Sequence, residues 1–162
     1  MAEARTEPLG KKNFGWRERM SDIRTILVID AQGGGLGRQL ITTIKKDMPE
    51  LHILAVGTNS SATAAMLKAG ADEAATGENA VRVACRKADV IIGPVGMVIA
   101  DAMLGEITPA MACTIAQAGA KRIMIPFSNC DNYIAGVSDF STGHLIEDAL
   151  KQLHSCFASS GC

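Results

Sequence analysis

The sequence predicts a three-layer α/β fold, in which a mostly parallel sheet of about five strands lies between two layers of helices. From about residue 24 onward, apolar β-branched segments alternate with segments of helical periodicity, which is typical of successive strand–helix units. The chain is 48% hydrophobic but only 4% aromatic, so its core must consist mainly of aliphatic and methionine side chains. Such a core is expected where helices cover both faces of a parallel sheet.

Length and composition predict one domain and exclude several function classes. The 162 residues can bury one substantial core, and we expect a flexible extension over residues 1–22, a domain over 23–154 and a tail over 155–162. A net charge of −1 without a basic, aromatic surface argues against nucleic acid as a partner. Without a long apolar segment or a signal-peptide pattern, we expect a cytoplasmic protein that does not contact membranes.

The element order limits the possible topologies. The strands are expected at residues 24–30, 52–57, 73–75, 89–93 and 121–126. The helices are expected at residues 35–47, 62–69, 80–88, 97–104, 109–118 and 140–153. Ser60 or Ser61 is expected to cap the second helix, and Thr108 the fifth. Right-handed crossovers favour the Rossmann-like strand order 3-2-1-4-5, with the flavodoxin-like order 2-1-3-4-5 as the alternative.

A glycine-rich turn follows the first strand and is the strongest candidate site. Its backbone N–H groups and the start of the next helix would converge on one point, which suits a phosphate. The dinucleotide fingerprint G-x-G-x-x-G is only approached, because position 38 is arginine, which would add a charged contact to phosphate. The alternative is a tight turn with that arginine in solvent. The candidate binding residues here are Asp30, Gln32, Gly33, Gly34, Gly35, Leu36, Gly37 and Arg38.

Two further loops would meet the same edge of the sheet. Thr58, Asn59 and Ser60 follow the second strand, where NAD-binding domains carry an acid for the ribose hydroxyl. That acid is missing, and the three residues instead resemble loops that accept a 2′-phosphate, although the arginine typical of such sites is also missing. The sequence therefore leaves the cofactor unknown, with a nucleotide possible and NAD or NADP favoured. The alternative is a simple helix cap. After the fourth strand, a second glycine turn would cover the ribose or the nicotinamide end of a nucleotide and consists of Gly93, Pro94, Val95 and Gly96.

Candidate catalytic residues are sparse. Asp101 is expected about one turn inside a helix, on an apolar face, where a carboxyl group can act as an acid or base. Cys130 and Tyr133 lie in a polar loop after the fifth strand, in which Asn129 is a candidate binding residue. The alternative is a structural loop whose polar side chains satisfy turns. The histidines and cysteines match no metal-ligand spacing, so no metal is expected.

Several motifs together resemble a known family. They are the turn at residues 28–37 and the segments 55–60, 70–80, 93–96 and 100–111. The chain is similar over about residues 24–150 to an uncharacterised bacterial family of small Rossmann-like proteins, the domain of unknown function family 3842. The resemblance implies a small single-domain Rossmann-like protein, and it implies no activity and no catalytic residues.

Three functions remain open from the sequence. The first is a sensor or accessory protein that binds a nucleotide or phosphorylated metabolite at the turn Gly33–Gly37. The second is an NAD(P)-linked oxidoreductase that acts as an oligomer, and the third is a structural subunit of a larger complex. We also expect a homo-oligomer, because methionines at positions 97, 103, 111 and 124 would offer an adaptable apolar surface.

Overall fold

A five-stranded parallel sheet of order β3-β2-β1-β4-β5 forms the centre of the molecule, which confirms the predicted topology. The computed structural model describes residues 24–126, 132–138 and 141–158. Every strand pair in the sheet is parallel. The strands are β1 (Thr25–Asp30), β2 (His52–Gly57), β3 (Glu73–Thr76), β4 (Val90–Pro94) and β5 (Lys121–Ile125).

Helices cover both faces of this sheet. They are α1 (Gly35–Asp47), α2 (Ser60–Lys68), α3 (Glu78–Cys85), α4 (Pro109–Gln117) and α5 (Thr142–Ala158), with a 3-10 helix at Val95–Val98. The core of one face includes buried residues of α1, α2 and α5, and that of the other face includes buried residues of α3 and α4. All six residues of β1 are buried, because successive side chains of this central strand enter opposite cores.

One expected helix is absent and one expected helix cap is a different residue, in both cases because of local chemistry. The helix expected at 97–104 is wrong: the chain forms the short 3-10 helix and then a series of turns, since Asp101, Met103 and Leu104 have positive φ angles that no α-helix permits. The cap of α2 is Asn59 rather than Ser60 or Ser61, and its side chain accepts a hydrogen bond from the Ala62 N–H group at 2.9 Å.

The last helix is longer than expected. It continues to Ala158, so the first four residues of the expected tail are helical. Leu153, where the helix was expected to end, is fully buried in the core. The final turn also packs inward, because Phe157 lies under the Arg24 guanidinium group, 4.4 Å from its ring centre. The expected extension at residues 1–22 lies outside the described residues.

Two of the four methionines on which we based the expected oligomer are core residues. Met97 and Met111 are only 1% and 2% exposed, so they fill the interior and offer no surface for association. Oligomerisation therefore stays a prediction, and it loses half of its original support.

None of the described helices combines the length and the hydropathy that crossing a bilayer would require.

Candidate functional site

A cavity of about 660 Å³ lies at the carboxyl ends of β1 and β4. This is the point in the strand order where chain connections leave in opposite directions, and ligands of such sheets bind there. We call it the switch-point cavity. Its described lining residues are Asp30, Ala31, Gln32, Gly33, Gly35, Leu36, Gln39, Pro94, Ile99, Ala100, Asp101, Ala102, Met103, Leu104 and Asn132.

Two glycines of the first turn line this cavity without being required by the fold. A Cβ atom added at Gly33 or Gly35 would meet nothing within 4 Å, and neither residue has a φ angle in the left-handed region. Their N–H groups make no hydrogen bond within the described part of the chain. An open surface with two free amide donors is therefore present on the cavity wall.

The other two glycines of the turn have a packing role. A Cβ atom at Gly34 would lie 2.7 Å from the Ala62 Cα atom, and the φ angle of Gly34 is +68°. A Cβ atom at Gly37 would lie 2.5 Å from the Met66 sulfur. Both glycines let α1 approach α2 closely, so they explain the fold rather than ligand binding.

A buried carboxylate uses other donors at the start of α1. Asp30 is 5% exposed, and its Oδ1 and Oδ2 atoms accept hydrogen bonds from the N–H groups of Ala31 (2.8 Å) and Gly37 (2.7 Å). Burial raises the pKa of Asp30, although these hydrogen bonds favour the ionised form. A ligand would consequently meet Gly33 and Gly35 as the free donors beside an acidic group.

Glu106 joins three loops at the neighbouring edge of the cavity. Its Oε2 atom accepts hydrogen bonds from the Gln32 N–H group (2.9 Å), the Thr58 hydroxyl (2.5 Å) and the Asn59 amide (3.0 Å). The Thr58 hydroxyl is the main cause that lowers the pKa of Glu106, followed by the Gln32 N–H group. A carboxylate from the segment after β4 thus lies where the loop after β2 has no acid of its own.

Backbone strain is concentrated on the same cavity. Four non-glycine residues in the described chain have positive φ angles, and all four line it: Gln32, Asp101, Met103 and Leu104. The turns that hold the last three are closed by the Asp101 N–H group on the Ile107 carbonyl at 2.8 Å. Conformations of this kind cost free energy and tend to cluster at functional sites.

The structure brings together some of the predicted site residues. Those that line the switch-point cavity are Asp30, Gln32, Gly33, Gly35, Leu36, Pro94 and Asp101. Asp101 is exposed in a turn, so its expected position on the buried face of a helix is wrong. Thr58, Asn59 and Glu106 do not line the cavity, but Glu106 and Asn59 are hydrogen-bonded to Gln32, which does. Thr58 is bonded to Glu106, whereas Ser60 is an exposed residue at the start of α2.

Other predicted residues lie elsewhere. Arg38 is on the side of α1 that faces α5, so it does not supply the expected charge to the cavity. Gly93 is a packing residue, because a Cβ atom there would lie 2.6 Å from the Ile29 carbonyl oxygen. Val95 borders a separate cavity below β5, and Gly96 is buried in the 3-10 helix.

The loop after β5 is only partly described. Asn129 and Cys130 lie outside the described residues. Tyr133 is 88% exposed and does not line the switch-point cavity, whereas the neighbouring Asn132 does. Within the described ranges, no three potential metal ligands lie close enough together to hold an ion.

Sequence reasoning missed the role of Glu106. The sequence gives no local relation between Glu106 and its partners Gln32 and Thr58, which are 74 and 48 residues away. Two features of the sequence could have indicated this role. The loop after β2 lacks an acid, and Glu106 follows Gly105 in a segment that begins at the same carboxyl edge of the sheet. Only the strand order makes these two observations meet.

Comparisons with known proteins identify the family of this chain. The family model described as Domain of unknown function (DUF3842) matches residues 25–158. A search of curated proteins finds no match. Among solved structures, the crystal structure of a dodecameric FMN-dependent UbiX-like decarboxylase from Escherichia coli O157:H7 is similar at 16% identity and a TM-score of 0.39, covering 83% of this chain and 76% of that one. That likeness is too distant to carry an argument about activity, and the family model alone decides the assignment: the chain belongs to the DUF3842 family.

Proposed function

We propose that this protein binds a dinucleotide in the switch-point cavity, with the pyrophosphate against the amides of Gly33 and Gly35. One observation carries the proposal: these two glycines have free N–H groups and unobstructed space where a side chain would point. The fold does not need glycine at either position, whereas a phosphate that must approach the backbone does.

Electrostatics supports a pyrophosphate over a phosphate monoester. The cavity is lined by the carboxyl groups of Asp30 and Asp101, and no described lining residue is lysine or arginine. A monoester carries about −1.5 to −2 charges at neutral pH, as phosphorylated side chains do. A pyrophosphate diester carries a similar total charge but spreads it over two phosphorus atoms, so the separate amides of Gly33 and Gly35 can each meet one charge.

The size and lining of the cavity also support a nucleotide. A volume of about 660 Å³ lies within the range of about 300–1,000 Å³ typical of small-molecule sites. Pro94, Ile99 and Met103 provide an apolar wall, and Gln32, Gln39 and Asn132 provide amide groups. This combination favours a planar base or nicotinamide ring with polar substituents.

The proposal is tested by binding measurements on alanine variants. We expect NAD to raise the melting temperature of the wild-type protein, and Gly35→Ala to reduce NAD affinity by about tenfold or more, because the new methyl group occupies the space of the phosphate. Gly119→Ala is the matched control, since a Cβ atom there also meets nothing within 4 Å, but Gly119 does not line the cavity.

The same experiment separates this proposal from its alternatives. If neither NAD nor any other nucleotide binds, or if Gly35→Ala binds NAD as well as Gly119→Ala does, the dinucleotide proposal is wrong. A structural subunit of a larger complex would show the first result. An oxidoreductase would bind like the proposed binding protein and in addition turn over, with Asp101 as the candidate acid or base that lines the cavity.

A further inference from the structure

Glu106 holds a position that bears on which dinucleotide fits. Asp30 and Gly57 are register partners at the ends of β1 and β2, so Gln32 and Thr58 emerge side by side at the carboxyl edge. In Rossmann-like domains the ribose next to the adenine lies over this edge. Glu106 comes from the segment after β4, the neighbour of β1 on the side opposite β2, and accepts hydrogen bonds from both loops.

The carboxylate of Glu106 has one committed oxygen and one free oxygen. Three donors converge on Oε2, whereas Oε1 accepts no hydrogen bond within the described residues. The donors are an N–H group, a hydroxyl and an amide, and none of them is a cation. The negative charge is therefore held in place without an ion pair, and Oε1 remains available to a hydroxyl donor.

We infer that Glu106 makes this site selective for a dinucleotide whose adenosine ribose has a free 2′-hydroxyl, and that it excludes a 2′-phosphate. The inference rests on the proposed function. A ribose hydroxyl donates to Oε1, in a charge-assisted hydrogen bond. A 2′-phosphate would instead bring a second anion against a carboxylate that is already ionised, and discrimination by an unpaired like charge is strong.

Among the described residues, no cation paired with Glu106 would compensate for a 2′-phosphate. Sites that accept this group supply an arginine, and no lysine or arginine forms an ion pair with Glu106 in the described parts of the chain. Arg38, which is the basic residue nearest in sequence to the turn, borders the groove towards α5. Thr58 and Asn59 also have donors committed to Glu106, so they are not free to receive a phosphate.

The experiment compares NAD with NADP by calorimetry on the full chain. We expect the wild type to bind NAD about tenfold or more tightly than NADP, which corresponds to about 1.4 kcal/mol. In Glu106→Gln, which keeps the size and an acceptor oxygen but removes the charge, this ratio should fall to within about threefold, mainly because NADP binding improves.

Glu78→Gln is the matched control for the removal of a charge. Glu78 also accepts a hydrogen bond from a threonine hydroxyl, that of Thr108 at 2.7 Å, but it makes no hydrogen bond to the described residues of the loops after β1 and β2. This variant should keep the wild-type ratio. If the wild type binds NADP as tightly as NAD, or if Glu106→Gln keeps the full ratio, the inference is wrong while the proposed function stands. If neither dinucleotide binds, both are wrong.

Discussion

Alanine substitutions at two adjacent glycines of the turn after β1 should change the free energy of unfolding in opposite directions. Gly34→Ala places a methyl group 2.7 Å from the Ala62 Cα atom and 2.9 Å from its carbonyl oxygen, so backbone rather than a flexible side chain must move. Gly35→Ala meets nothing within 4 Å and lies at the first position of α1. The first substitution should destabilise the protein, and the second should not.

The magnitudes follow from two contributions. An alanine at the φ angle of +68° found at Gly34 costs about 1–2 kcal/mol, and overpacking typically adds about 1–3 kcal/mol. We therefore expect Gly34→Ala to lose about 3 kcal/mol of unfolding free energy. Gly35→Ala should gain up to about 1 kcal/mol, because alanine is the better helix former and loses less backbone entropy.

Urea unfolding followed by circular dichroism at neutral pH measures both values. For a domain of this size, a loss of about 3 kcal/mol lowers the melting temperature by about 6–12 °C. If the slope of the unfolding free energy against urea concentration is unchanged, the variants differ in stability and not in the unfolded state. The reasoning is refuted if Gly34→Ala is as stable as Gly35→Ala, since the turn would then tolerate a side chain at either position.

Three further outcomes are expected. Asn59→Ala should lose about 1–2 kcal/mol in urea unfolding because it removes the cap of α2, whereas Ser61→Ala, at an exposed position that does not cap, should stay within about 0.5 kcal/mol of the wild type. Because the pKa of Glu106 is lowered in the folded protein, this residue stabilises the fold above its unfolded pKa of 4.5, and the stabilisation is lost as the pH falls through the folded pKa. Glu106→Gln should abolish that part of the loss of stability in acid, and an unchanged dependence of stability on pH would contradict the hydrogen bonds assigned to Glu106. Light scattering at micromolar concentration should show a homo-oligomer, and a mass of 17.0 kDa would exclude one.

The strand order could be predicted from the sequence because apolar strand segments alternate with segments of helical periodicity along the chain. Right-handed crossovers then leave few arrangements, and the glycine turn fixes the end of β1. The position of the candidate site followed from the same reasoning, since ligands of such sheets bind at the carboxyl edge. These predictions depended on local patterns and on general rules of chain connection.

The details that escaped prediction depend on competition between similar local choices. Asn59, Ser60 and Ser61 are all good capping residues, and only the position of the first turn of α2 selects Asn59. Met97 to Leu104 has the apolar spacing of a helix, yet the chain turns instead, closed by hydrogen bonds from the Asp101 N–H group to the Ile107 carbonyl and from the Ile107 N–H group to the Ala102 carbonyl. In both cases the sequence permits several conformations, and tertiary contacts choose one.

The long reach of Glu106 has a consequence for the order in which the molecule assembles. Its contact with Gln32 spans 74 residues, whereas the register partners of β1 and β2, such as Thr25 and His52, are much closer in sequence. Contacts of high sequence separation pay a larger entropy of loop closure, and they are completed late in folding and in synthesis from the N-terminus. The glycine turn can therefore exist in a partly folded chain before Glu106 arrives. Such a chain would expose an unfinished sheet edge, which makes this carboxylate a marker that folding of the region is complete.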